Sequence, residues 1–530
     1  MRMESRSRSA ARAGTFAPGV LFALALSSCK VTNQSTSDPT ANGGQAETVM
    51  SIQGTSSSDW TELIVYNDST NSPTAPTSTC NGVTVGNPAD VTYGCSTRSV
   101  CVGASLLGYS TASHGDTAFS YTHISPSNGV SVLWGDPAIA WSLSGQAPSS
   151  GWQYVYLSNL IAPSTKLPSG CQSGSMYNVM GGAAIYVSSD RGKTFVYLQT
   201  LSNAGHVYDG GTMTWSPRGY AMAAYADIDP GVLATDVWYV AGLGNFSRLG
   251  NPFAGCSACG SFDTHPDLRA DSEGRFYVMA KDTNNNLWVT RTTTYAPPYS
   301  WTTPVQVTPN PVAGIPSSIA FSDVLGQPAS LRLGKGFDFS IGNNESGVEE
   351  LRFVYTFTFD GVSYRVLGGK CALGSSISGC GDVGQWNGHS VPGQPDYPVS
   401  QFNPLMAASH KGGSTPDIWA ISYQSRQDDP TGNTVEHWQA QFLGGGSPSS
   451  PKKQDVGAEV VCPDRRDNGG FWGDYDSLVY VGNNNGEETF LRPYSDSTDG
   501  GGCVSSNPKA FRWTYRAGPL HVSMTQITIP

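Results

Sequence analysis

The chain has 530 residues and a formal charge of −11, an acidic balance that excludes nucleic acid as a partner and excludes electrostatic adhesion to anionic lipid. Its 62 glycines and 34 prolines punctuate short runs of Trp, Tyr, Val and Thr, and only 13% of residues are charged. No long stretch carries helical periodicity, so the composition excludes a helical protein and predicts an all-β one.

The N-terminus reads as a processing signal. Arg2, Arg6, Arg8 and Arg12 form a basic region, an apolar stretch runs from Phe16 to Leu26, and Leu26-Ser27-Ser28-Cys29 closes it. The stretch is too short to span a bilayer. Its end resembles a bacterial lipobox, which implies export and acylation of Cys29; an ordinary signal peptide with an incidental cysteine is the alternative. Lys30 follows the cysteine, and the absence of Asp there favours outer-membrane anchoring in the cell envelope. The expected division is a signal peptide over 1–28, a flexible tether over 29–50 that is polar with little to bury, and one domain over 51–530. The lipid is then the only membrane contact.

Strand-sized units follow in chain order. Thr61–Tyr66 is the earliest, and Gly135–Trp141 opens a longer meander whose second strand is Tyr154–Leu157. The same pairing of an opening strand and a second strand recurs at Tyr208–Met213 and Tyr220–Tyr225, and at His265–Ala270 and Gly274–Val278. It returns at Lys335–Phe339 and Leu351–Tyr355, at Phe402–Ala407 and Ile418–Tyr423, and at Gly473–Leu478 and Thr489–Leu491. Each unit is too small to bury its own faces, so the repetition predicts a closed array.

The sharpest local signal is Ile185-Tyr186-Val187-Ser188-Ser189-Asp190-Arg191-Gly192-Lys193-Thr194-Phe195. Gly192 permits positive φ in a tight turn, Ser188 and Asp190 can bond that turn's backbone, and Phe195 can plug between sheets. Ser188, Asp190, Gly192, Thr194 and Phe195 together resemble the Asp-box, or BNR repeat, of sialidase-like β-propellers. Leu107–Phe119 resembles a degenerate copy, with Ser113 in the place of the Asp. The resemblance implies six or seven four-stranded blades. The units counted above favour seven; a merger of the terminal half-units gives six. It also implies that Asp190 is structural and remote from any central pocket.

Ten cysteines remain besides Cys29, an even number that in an exported chain predicts disulfides. Cys371–Cys380 and Cys462–Cys503 are the local pairs. Cys256-Ser-Ala-Cys259 reads as a loop disulfide, since no second cysteine or histidine pair completes a zinc site. The pairing of Cys80, Cys95, Cys101 and Cys171 stays open. No metal is assigned; Ca²⁺ is the one cation that polar loops such as Lys281–Asn286 and Asn483–Glu488 allow, and plain turns are the simpler reading.

In a blade the first strand is innermost, so residues at its start ring one mouth of the central channel. Asp136, Asp209, Asp267, Asn403 and Asp474 stand there, with Arg269 and Tyr475 beside them. Converging carboxylates suit sugar hydroxyls, a cation or acid–base work; strand-entry caps are the alternative for each one alone. The resemblance to sialidases implies an arginine triad, a Tyr–Glu pair and an Asp acid. The early Arg-Ile-Pro run of that family is absent, and the arginines near strand starts are Arg269, Arg332, Arg465 and Arg466. The expected function is therefore binding of an extracellular glycan or protein ligand, with a sialidase-like glycoside hydrolase as the alternative. Glu436-His437 reads as a surface pair on a strand.

Overall fold

The computed structural model describes residues 182–307 and 335–380 almost throughout, and strand segments elsewhere between 30 and 529; residues 1–29, 142–153, 164–181, 308–317, 381–400 and 461–476 are among those outside it. Cys29, Cys462, Asp474 and Tyr475 fall outside the described residues.

Among the described residues every element of the fold is a strand. Among the described residues, seven sheets hold four or five strands each, and every pairing within them is antiparallel. The best described sheet runs Val130–Trp141, Val155–Pro163, Gly182–Ser188, Val196–Leu201 from inside to outside, in the order of the chain. Inner strands of the other sheets are Gln45–Ser56, Tyr208–Trp215, Asp267–Ala270, Phe337–Asn343, Gln401–Ala408 and Val479–Asn484. Each inner strand packs beside the inner strand of the next sheet, and Val479–Asn484 packs back against Gln45–Ser56. The protein is a β-propeller.

The core lies in the gaps between sheets. Tyr156, Trp215 and Phe246 meet across one gap, with Tyr156 stacked on Trp215 and edge-on to Phe246. Across another, Met279, Phe337, Phe339 and Phe353 are buried together. Each such side chain contributes about 1.5–3 kcal/mol when fully removed from water. Near the channel the inner strands come so close that side chains must be small. A Cβ at Gly211 would stand 2.9 Å from the Tyr225 ring and 3.5 Å from Ala138 of the neighbouring sheet.

The segment expected as a tether is partly in sheets. Lys30–Ser35 pairs with His521–Ile529 as the outermost strand of the last sheet, and Gln45–Ser56 is an inner strand. The composition gave that segment nothing to bury, but an outer strand is held by its backbone ladder, and the open edge of His521–Ile529 supplies one. A second difference concerns Glu436 and His437, which are buried on the third strand of their sheet. Burial first, and Arg492 second, hold the His437 pKa well below its ordinary value, so the imidazole is neutral there.

The Ser188–Phe195 turn forms as its residues dictate. Arg191 and Gly192 both take positive φ, at 63° and 74°. Asp190 accepts from the Thr194 amide at 2.9 Å and from the Ser188 hydroxyl at 2.7 Å, and Ser188 Oγ accepts from the Gly192 amide at 2.9 Å. Phe195 meets Tyr109 of the preceding sheet edge-on at 5.0 Å, and the Tyr109 hydroxyl donates to the Lys193 carbonyl at 3.0 Å. The register settles which end this is. Ser188 pairs with Val155, which pairs with Trp141 at the finish of the inner strand, so the turn lies at the end away from Asp136.

Two disulfides join Cys256 to Cys259 and Cys371 to Cys380. Mass mapping of non-reduced peptides should recover both pairs, and free thiols at those positions would contradict the structure. Burial tends to raise the Asp190 pKa, but the bonds from Thr194 and Ser188 outweigh it and hold the carboxyl below its ordinary value. A depressed carboxyl pKa adds stability that is complete above the ordinary carboxylate range and fades as pH falls through the folded-state value. Asp190→Ala should therefore lower the unfolding free energy by about 1–2 kcal/mol near neutral pH. The gap to wild type should close on acidification, as read by denaturant unfolding at several pH values.

Candidate site at the inner-strand mouth

Three of the inner strands that carry mouth residues are irregular, two near their starts and Val130–Trp141 midway, so Asp136 stands in mid-strand and not at the strand start that the sequence suggested. The register slips between Leu133, Gly135 and Ala138, between Asp209 and Gly211, and between Phe402 and Leu405. At these bulges Asp136, Gly210 and Asn403 take φ of 52°, 48° and 46°. A bulge with positive φ turns a side chain out of the pleat, and for a residue other than glycine it is held only by surrounding contacts.

The mouth acids that the sequence singled out divide into three kinds. Asp136 is buried, and its Oδ2 accepts from the Gly210 amide of the next inner strand at 2.9 Å. Asp267 is buried in a charge cluster: Arg269 Nη1 lies 2.7 Å from its Oδ1, and Lys335 Nζ lies 3.1 Å from its Oδ2. Asp209 is different, with 29% of its side chain exposed; its Oδ1 also accepts from the Gly210 amide, at 3.1 Å, and stands 3.8 Å from His265 Nε2. Asn403, half-buried, donates its amide to Gln424 Oε1 at 2.8 Å, within its own sheet.

Two contributors were not legible as site residues. Asp338, inside Phe337-Asp338-Phe339, accepts from Arg269 Nη2 at 2.7 Å and from the Met406 amide of the next sheet at 2.8 Å. Its position one residue into an inner strand, equivalent to that of Asp209, was the available signal. His265 enters the mouth from the residue pair ahead of Asp267, and nothing in its local sequence marks it.

The charge cluster of Asp267, Arg269, Lys335 and Asp338 is balanced, two carboxylates against two cations. Burial is the largest influence on both acids. For Asp267, Arg269 and Lys335 overcome it and drive the pKa well down; for Asp338, burial and the neighbouring Asp267 prevail and push it up to about 7. The two titrate as a pair, with Asp267 the stronger acid. Both terminal nitrogens of Arg269 are engaged by these acids, and its guanidinium also lies 5.5 Å from the Phe339 ring centre.

A sialidase-like arginine triad does not assemble among the described residues: Arg269 is committed to its two aspartates, and Arg465 and Arg466 lie outside them. Arg291, Arg352 and Arg492 are buried. The Lys281–Asn286 loop is a turn built on Asp282, which accepts from the amides of Asn284, Asn286 and Gly260 at 2.9, 2.9 and 3.0 Å and from Trp288 Nε1 at 2.8 Å.

No protein-family model matches the chain, and no curated protein matches it. Among solved structures it is similar to the BP39L lectin of Burkholderia pseudomallei, at 13% identity over 85% of this chain and 93% of that one, with a TM-score of 0.45. It is similar to an α-L-arabinanase of Penicillium chrysogenum complexed with arabinobiose, at 14% identity over 73% and 92%, with a TM-score of 0.36. A Trypanosoma rangeli sialidase matches at 9% identity over 90% of this chain but only 53% of its own, with a TM-score of 0.37.

The cluster fixes the outcome of removing Arg269. Asp267 and Asp338 would be left buried with Lys335 alone, so Arg269→Ala should cost about 3 kcal/mol, read from the denaturant midpoint. An unchanged midpoint would mean that the guanidinium is free for a ligand.

Proposed function

We propose that the protein is an exported, lipid-anchored β-propeller of seven blades in the sialidase-like class, and that it binds a hydroxyl-rich glycan at its inner-strand mouth without hydrolysing it. The observation that carries this reading is the commitment of Arg269 to Asp267 and Asp338. A guanidinium whose two terminal nitrogens already bond carboxylates has its charge neutralised locally and is poorly placed to clamp the carboxylate of an acidic sugar. What the mouth offers instead is the partly exposed carboxylate of Asp209 and the half-buried Asn403, polar groups of a kind that suits sugar hydroxyls. The acidic balance of the chain disfavours anionic ligands in the same way. Anchoring through Cys29 rests on the apolar run and the Leu26-Ser27-Ser28-Cys29 sequence.

Two assays test the reading. A glycan array probed with the purified full-length protein should show binding to neutral saccharides, and incubation with the bound saccharide should release no product. Cleavage of a sialoside or arabinoside at enzymatic rates would overturn it in favour of a hydrolase. Cys29→Ser should abolish acyl labelling and release the protein from membranes; labelling that persists would remove the lipid anchor from the account.

A further inference from the structure

We infer that Asp136, Asp209 and His265 form a binding site for one divalent transition-metal ion of the zinc or manganese class. Each residue offers one donor atom, and the three donors lie within 4.8 Å of one another. They come from three consecutive sheets: Asp136 from Val130–Trp141, Asp209 from Tyr208–Trp215, and His265 from the lead into Asp267–Ala270. Local sequence therefore did not bring them together; the ring of inner strands did.

The surroundings fit such an ion. Gly210 carries no side chain where one would collide with the imidazole: a Cβ there would lie 1.9 Å from His265 Cδ2. The histidine ring thus occupies a cradle that only glycine leaves open, and it is buried. Asp136 Oδ2 accepts from the Gly210 amide, which fixes the carboxyl beside the cluster. Asp209 is the exposed member and forms the entrance. The separation of 3.8 Å between His265 Nε2 and Asp209 Oδ1 is too long for a hydrogen bond. It is a suitable span for two donors that each stand about 2.1 Å from one ion.

The donor set selects the metal. Two carboxylates and one neutral imidazole carry a charge that a dication balances. One imidazole among three donors suits zinc or manganese. Calcium takes six to eight oxygens, which two carboxylates do not supply. Three protein donors leave at least one position facing the mouth, open to water or to a ligand hydroxyl. The inference goes beyond glycan binding and stands without it, because the metal alone is the probe.

The test is calorimetric titration of Zn²⁺ and of Mn²⁺, each alone, into chelator-stripped full-length protein, with thermal melting as a second readout. Wild type should bind one ion per chain and melt at a higher temperature with it. Asp209→Asn changes an exposed side chain without changing its shape, so it should fold as wild type does, and it should weaken the metal at least tenfold. His265→Gln should do the same, while Asp190→Asn, at the far end of the blade, should bind like wild type. Absence of saturable binding by folded wild type, equal affinity in Asp209→Asn, or preference for Ca²⁺ over both metals would each overturn the proposal.

Discussion

Neighbouring sheets are stitched together where an inner-strand carboxylate accepts the backbone amide of the next inner strand. Asp136 receives Gly210, and Asp338 receives Met406. A propeller has no backbone ladder between its sheets, so its cohesion rests on apolar packing and on bonds of this kind. Inner strands that bulge leave a backbone amide facing sideways, and a buried amide without an acceptor costs about 1–3 kcal/mol. The acid of the preceding strand answers that demand. Most of the local oddities follow: the positive φ of Asp136, the glycine at 210, and the burial of charge at the channel.

The same constraint decides which mouth residues are available for chemistry. Asp136 is engaged between sheets, and Asp267 and Asp338 are engaged with Arg269 and Lys335. Asp209 alone among the described mouth acids combines a strand-start position with substantial exposure. A ring of equivalent carboxylates, as the spacing implied, therefore resolves into buried braces and one partly exposed acid, Asp209, whose bond to the Gly210 amide is local. Geometry built for holding sheets together also gathers Asp136, Asp209 and His265 around a common centre.

The sequence was legible wherever the information was local. Tyr208–Met213, His265–Ala270 and Phe402–Ala407 each mark an inner strand by an acid or amide near the start of a β-rich run, and in the first and last of these that residue sits at a bulge. The turn at Ser188–Phe195 was equally plain, since the bonds of Ser188 and Asp190 that shape it are made within eight residues. The rest depended on contacts that only closure creates. Nothing near Asp267 in the chain announces Lys335, and nothing near His265 announces Asp136. The tether reading of 29–50 missed for a related reason. Side-chain composition says what can be buried, whereas Lys30–Ser35 is placed by the backbone edge of His521–Ile529 at the other end of the chain.

The central claim is that the inner-strand acids differ by role, buried brace between sheets against partly exposed acid with a local bond, despite their similar places in the repeat. Denaturant unfolding of Asp136→Asn and Asp209→Asn in metal-free buffer separates the two most directly. The account predicts a clearly lower midpoint for Asp136→Asn, which loses the buried ionised acceptor of the Gly210 amide, and a smaller loss for Asp209→Asn, whose bond to that amide is local and partly exposed. Equal loss in both variants, or loss in Asp209→Asn alone, would contradict it.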